Sequence, residues 1–118
     1  MKILYVENHA VFADTVTRKF LPNHSVTIAP SLAEARQALA KGRFDLLLID
    51  FDLDDGKGDA LAKVVRDKDP HITIIGVSSH EEGNAILRRA SANAICSKMQ
   101  FDQIQSVIDR AMRREASS

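Results

Sequence analysis

Five short apolar runs, read as strands without polar–apolar alternation, constrain this chain more than any other feature. They are ILYV from Ile3, SVTIA from Ser25, DLLLID from Asp45, ITIIGV from Ile72 and AIC from Ala94, a little over twenty residues apart. A strand with one wet face reads as alternation, whereas a strand covered on both faces reads as an unbroken apolar run. The second pattern belongs to parallel sheets sandwiched between helical layers.

The intervening segments have the helical period. Phe12, Val16 and Phe20 recur every fourth residue. Ser31 to Glu34 form a capping box that opens a helix with Leu32, Ala35 and Leu39 on one side and Gly42 as its stop. Leu61, Val64 and Val65 mark a third helix, which Asp69-Pro70 ends. Ile86, Leu87 and Ala90 mark a fourth. Ile104, Val107, Ile108 and Ala111 mark a fifth, at the spacing of one buried stripe. Strand and helix thus alternate five times, which predicts an α/β doubly wound parallel sheet with helices on both faces.

Ligands of such sheets bind beyond the carboxyl ends of the strands. Those ends are Glu7-Asn8-His9, Asp50, Ser78-Ser79-His80 and Ser97-Lys98, while the second run ends in the unreactive Ala29-Pro30. The third is the densest. LLLIDFDLDDGKG sets Asp50, Asp52, Asp54 and Asp55 directly behind an apolar run. Three chemistries use comparable letters. A calcium-binding EF-hand loop accounts for Asp50, Asp52 and Asp54, but needs Gly where Asp55 stands, a bidentate Glu where Leu61 stands, and a helix rather than a strand in front. DFDLD is similar to the nucleophile motif of haloacid-dehalogenase-type, Mg²⁺-dependent phosphatases, with Asp54 in place of Thr or Val and little chain left for that family's other parts.

The third chemistry accounts for the whole chain. Glu7-Asn8 after the first strand, Asp50 after the third, Ser78 after the fourth, Lys98 after the fifth and Gly58 opening the third helix resemble the markers of receiver domains of two-component response regulators. The resemblance implies a flavodoxin-like (βα)5 fold with strand order 2-1-3-4-5. It implies that Asp50 accepts a phosphoryl group from a sensor histidine kinase or phosphotransfer protein, with Ser78 and Lys98 contacting the phosphate. It implies Mg²⁺ held by Glu7, Asn8, Asp50 and the backbone carbonyl of Asp52. It also implies a switch of the helix 4–strand 5–helix 5 face toward a protein partner, homodimerisation through that face being one use. Asp54 and Asp55 are then expected to be solvated loop charges.

Several positions depart from the family. Asn8 stands where a metal-binding Asp is usual, so weaker Mg²⁺ binding is expected. A phosphorylation-independent binding module is the corresponding alternative, and a small Mg²⁺-dependent phosphatase a remoter one. Asp54 replaces a common proline, Met99 replaces a cis-proline and predicts a trans bond, and Ile95 replaces an aromatic that often switches position. His9, and His80 within SSHEEG, resemble receivers that precede a helix-turn-helix output domain. His80 and Asp52 occupy the family positions flanking the water that attacks the phosphate, and His9 reads as a helix-entry residue.

Composition bounds the rest. Sixteen basic and sixteen acidic residues cancel, so no global field recruits nucleic acid, and Arg110, Arg113 and Arg114 read as dipole-favoured charges ending a helix. The lone Cys96 sits in an apolar run, as a buried hydrophobe does. No signal peptide or membrane span is visible. The expectation is a single cytoplasmic receiver domain over 1–118 with no output domain, neither membrane-bound nor itself a nucleic-acid binder.

Overall fold

In the computed structural model the apolar runs become strands β1 (Lys2–Val6), β2 (Ser25–Ala29), β3 (Leu46–Ile49), β6 (Thr73–Ser78) and β7 (Ala94–Ser97). Two further strands, β4 (Asp52–Leu53) and β5 (Gly56–Lys57), form a small antiparallel hairpin that the sequence did not announce. The structure describes residues 1–117, with side chains through Arg113, so the side chain of Arg114 lies outside the described residues. The five long strands make one parallel sheet in the order β2-β1-β3-β6-β7. Leaving the hairpin out of the count, this is the predicted 2-1-3-4-5. Register is set by pairs such as Val6 with Ile49 and Ile49 with Gly76.

The helices are α1 (Ala10–Phe20), α2 (Leu32–Lys41), α3 (Gly58–Lys68), α4 (Glu81–Arg89) and α5 (Ile104–Ser117). A short 3-10 turn, Lys98–Gln103, precedes α5. Two cores explain the unbroken apolar runs. Ile3, Tyr5, Leu46, Leu48, Ile75 and Val77 face α1 and α5, whereas Leu4, Val6, Leu47, Ile49 and Ile74 face α2, α3 and α4. Successive residues of a strand point to opposite faces. With both faces covered, every residue of β3 and β6 is therefore buried. Edge strand β2 is different, with exposed and half-buried positions alternating up to the buried Ala29.

The helix readings need two adjustments. Val64 points outward, and α3 buries Leu61, Ala62 and Val65 instead. Helix α4 buries Gly83, Asn84 and Leu87 while Ile86 is half-buried, because its polar first turn docks against the end of β6. Arg66 braces the amino-terminal end of β6. Its guanidinium donates to the carbonyls of Asp69 (3.2 Å), Ile72 (2.7 Å) and Ser91 (3.3 Å) and to Asn93 Oδ1 (2.7 Å). No helix is long and apolar enough to cross a membrane among the described residues.

Candidate functional site at the carboxyl edge of the sheet

Parallel strands β1 and β3 end level with each other, which brings Glu7 and Asp50 into one pocket, buried at 0% and 4% exposure. Two buried carboxylates side by side repel each other and lose hydration, so a cation is needed between them. Lys98 provides it from the first residue of the 3-10 turn, one step beyond β7 rather than as its last residue. Its Nζ lies 2.6 Å from Glu7 Oε1 and 2.9 Å from Asp50 Oδ2. The contact to Glu7 is an ion pair without hydrogen-bond alignment, since Glu7 Oε1 has no aligned donor. The ammonium also rests 5.5 Å above the Phe12 ring.

Asp50 is held at its other oxygen by the Phe51 amide, which donates to Oδ1 at 2.8 Å. Burial, helped by the charge of Glu7, pushes the Asp50 carboxyl above its ordinary pKa, although Lys98 and the Phe51 amide pull the other way. Burial alone would lower the Lys98 pKa, but its bonds to Glu7 and Asp50 win and raise it. The Tyr5 hydroxyl below them is driven well above its usual range, by burial first and then by Glu7 and Asp50.

Asn8 follows Glu7 and is half-buried. Its Nδ2 donates to Asp54 Oδ1 at 3.2 Å. A carboxylate only accepts, so the amide orientation is settled. Its Oδ1 is then left shut from solvent with no partner. This orphaned acceptor suits a cation. The Gly58 amide donates to the Phe51 carbonyl at 2.7 Å, so the next pair in the hairpin, Asp52 with Lys57, is a non-hydrogen-bonded one and leaves the Asp52 carbonyl unused by the ladder. Among the described residues no three acidic, histidine or cysteine side chains form a closed metal cage. The available set is two carboxylates, an amide oxygen and a carbonyl. These are hard oxygen donors of the kind Mg²⁺ takes while keeping waters, so the residues fit that ion.

Not every sequence-predicted residue converges. Ser78 ends β6, buried, but its Oγ accepts the His80 amide at 3.2 Å and has no recorded bond to Asp50. The Asp52 carboxylate is paired with Lys57. His9 is the residue before α1, as expected for a helix entry, and both its amide and Nδ1 lie 3.1 Å from Glu7 Oε2. The Lys98–Met99 bond is trans, no peptide bond being cis among the described residues. Cys96 is buried, and burial lifts its thiol pKa to about 11, so it is inert at neutral pH.

Asp55 corrects the reading of the acidic loop. It is exposed, as expected of a loop charge, but it is no bystander, because Oδ1 accepts the Leu32 amide (2.9 Å) and Oδ2 the Ala33 amide (3.0 Å). Ser31 Oγ accepts the Glu34 amide and the Ser31 carbonyl the Ala35 amide. The Ala35 amide makes the first regular helix bond, and the three helix amides before it, which a helix start leaves without intrahelical partners, are all satisfied. The two backbone bonds lower the Asp55 pKa below its ordinary 3.8. A depressed acid contributes stability above its unfolded pKa and loses it as pH falls through the folded value. Asp55→Ala is therefore expected to lower the melting temperature at neutral pH. The difference from the parent should close below pH 3.8, and paired thermal melts at the two pH values check this.

Glycines make the site possible. A Cβ on Gly58 would lie 2.0 Å from the Asp50 carbonyl oxygen. One on Gly83 would lie 2.9 Å from Ser78 Oγ and 3.0 Å from Phe51. The sequence offered Gly58 only through resemblance and gave Gly83 no role. SSHEEG carries it at the right place, but close approach is invisible without the fold.

A sequence model of the family described as the response regulator receiver domain matches residues 3–109. No curated protein matches the chain. Among solved structures, a receiver domain of a Francisella response regulator is similar, with TM-score 0.82, 20% identity and coverage of 96% of this chain and 97% of that one. A CheY-like receiver domain from Methanospirillum hungatei gives TM-score 0.84 at 21% identity, covering 99% and 98%. A Thermotoga maritima response regulator, solved in complex with Mg²⁺-BeF, gives 0.84 at 19%, covering 93% and 97%.

Proposed function

Because the chain belongs to the family of response regulator receiver domains, we propose that it takes a phosphoryl group on Asp50 from a histidine kinase or phosphotransfer protein. It then signals through α4, β7 and α5. The observation that carries this reading is the buried Asp50 carboxylate, fixed by Lys98 and the Phe51 amide and accompanied by Glu7 and the unsatisfied oxygen of Asn8.

In the proposed transfer, an Asp50 oxygen attacks phosphorus. The phosphorus–nitrogen bond of the donor phosphohistidine breaks, and its electron pair leaves with the imidazole. Asp50 suits attack because burial strips its hydration, while Lys98 keeps it ionised. Glu7, Asn8, Asp50 and the Asp52 carbonyl would hold Mg²⁺, which would supply positive charge against the phosphoryl oxygens. Lys98 redirects its ammonium from the carboxylate to the new phosphoryl oxygen, and the Ser78 hydroxyl donates to another.

A route from Ser78 to the partner face is built in. Asn84 Nδ2 of α4 donates to the Ser78 carbonyl at 3.1 Å, and Gly83 packs against its side chain. Movement of Ser78 toward a phosphate therefore pulls on α4. Beyond it, Arg88, Ala94, Ile95, Val107 and Arg110 surround a depression of about 170 Å³ between α4, β7 and α5. This suits a protein contact, a second copy of the chain included. Residues 1–118 act in this reading as one cytoplasmic receiver domain that catalyses only its own phosphorylation and dephosphorylation.

Intact mass after incubation with phosphoramidate, with and without Mg²⁺, tests the proposal. One added phosphoryl group that requires Mg²⁺ and disappears in Asp50→Asn is expected; equal labelling of the mutant refutes Asp50 as acceptor. The binding-module alternative rests on Asn8, which leaves the metal pocket one charge short. A unit charge at ~4 Å is worth about 4 kcal/mol at an effective dielectric of 20, before desolvation is subtracted. Asn8→Asp is thus expected to tighten Mg²⁺ at least about tenfold, which is ~1.4 kcal/mol. Calorimetric titration of both proteins reads this, and equal affinities contradict Asn8 as a ligand.

A further inference from the structure

A cavity of about 400 Å³ opens between α2 and α3, next to the residues leading into β3 and β6 and therefore at the opposite edge of the sheet from Asp50. Leu39, Phe44, Leu61, Val64, Val65 and Ile72 form its floor, and Arg36, Arg43 and Lys68 stand at its rim. We propose that this groove binds a small amphipathic organic anion, an apolar body carrying a carboxylate, sulfonate or phosphate. The proposal stands apart from the phosphoacceptor reading and shares no residue with it.

The apolar floor is continuous. Val64, 41% exposed, would be unremarkable alone. Here it extends half-buried Leu39 and Phe44, which pack onto the core between the helices. The volume falls within the ~300–1,000 Å³ usual for small-ligand pockets.

The rim is positive in a chain of zero net charge. The simpler explanation, that basic residues neutralise helix carboxyl ends, covers only part of it, since Arg36 lies in the body of α2 and Arg43 beyond its cap. Lys68 does lie in the last turn of α3, beside Arg66, whose guanidinium is engaged with the carbonyls of Asp69 and Ile72 beyond the helix. At the end of α2 the Gly42 amide takes the Ala38 carbonyl, and Lys41 lies in the last turn. The one rim acid, Asp69, accepts the His71 and Ile72 amides with its Oδ1. Arg36 is attracted to Asp55. The side chains of Arg43 and Lys68 make no hydrogen bond or ion pair among the described residues. Two unpaired cations over an apolar floor match a ligand with one charged end and one apolar body.

The probe is 1-anilinonaphthalene-8-sulfonate, with N-phenyl-1-naphthylamine as its counterpart lacking the sulfonate. Amide chemical shifts of the labelled full chain locate binding, and fluorescence titration gives affinity. The expected result is shift changes at α2, α3 and residues 42–44. Arg43→Glu with Lys68→Glu should weaken the sulfonate by at least about fivefold, as two reversed charges at a screened surface predict, while the neutral probe changes little. Arg43→Gln with Lys68→Gln, which only neutralises, should give a smaller loss in the same direction. It also serves as the second variant if the amide spectrum of the first has lost its dispersion. Shift changes confined to the α4–β7–α5 depression, no shift changes at all, or equal weakening of both probes would overturn the proposal.

Discussion

Lys98→Met is expected to destabilise the protein by about 3–5 kcal/mol at neutral pH, the usual cost of removing one partner from a buried ion pair. Methionine retains most of the aliphatic stem, so the loss is chiefly that of the ammonium and its contact with the Phe12 ring. Two carboxylates, at 0% and 4% exposure, would be left facing each other without a counter-ion. Protonation relieves that arrangement, so the deficit should shrink as pH falls. In the parent, two groups set the signs. Asp50 has a folded pKa above its ordinary 3.8. An acid raised in this way holds its proton more tightly in the folded state, and its contribution to stability declines as pH rises from 3.8 through the folded value. Lys98 is raised above its ordinary 10.5; its contribution is complete below 10.5 and lost as pH climbs through the folded value. Urea unfolding of both proteins at acid, neutral and alkaline pH measures this. A small loss that does not vary with pH would mean that Lys98 does not neutralise the pocket.

The second large effect comes from a single methyl group. Gly58→Ala should destabilise by about 3 kcal/mol, near the upper end for overpacking, because the new Cβ meets backbone and not a side chain that can turn aside. It would lie 2.0 Å from the Asp50 carbonyl oxygen and 3.1 Å from Ile49 Cγ1. Either the start of α3 or the Asp50 peptide must move, and the second displaces the proposed phosphoacceptor. Helix propensity predicts the opposite sign, since alanine is the better helix former. Gly42→Ala is the control: nothing lies within 4 Å of its Cβ and its φ of −159° suits any residue. That change should be neutral or stabilise by about 0.4–1 kcal/mol. Equal responses at the two glycines would remove the close approach as the reason for Gly58.

Both effects share a cause that bears on signalling. The loop after β3 is held from four directions: by Lys98 at Asp50, by Asn8 at Asp54, by the start of α2 at Asp55, and by the Gly58 amide at the Phe51 carbonyl. Such a loop keeps the carboxylate in place. The contacts toward α4 are separate, the Asn84 side chain bonding the Ser78 carbonyl and Gly83 lying close to the Ser78 hydroxyl, and they are the route that the proposed signalling would use.

The division between sequence and structure follows the range of the interactions involved. Unbroken apolar runs and four-residue helical spacings act over one or two turns of chain. They sufficed for the five βα units, the parallel sheet and the strand ends that carry Glu7, Asp50, Ser78 and Lys98. Resemblance added roles to those residues, and the family match bears out the domain type. Partners from distant segments were another matter. That Lys98 pairs with Glu7 as well as Asp50, 48 residues before it, depends on how far β1, β3 and β7 extend in register. Asp55 caps amides 22 and 23 residues earlier because the β4–β5 hairpin turns it toward α2, and two-residue strands leave no periodic signal. Val64 faces outward while Val65 is buried because the rotation of α3 is fixed by the Gly58–Asp50 approach and by packing on β3. No local pattern of three apolar residues can decide that angle. The sequence by itself determined which side chains gather at the carboxyl edge; only tertiary packing, acting at distances of a few ångströms between segments far apart in the chain, decided which of them touch.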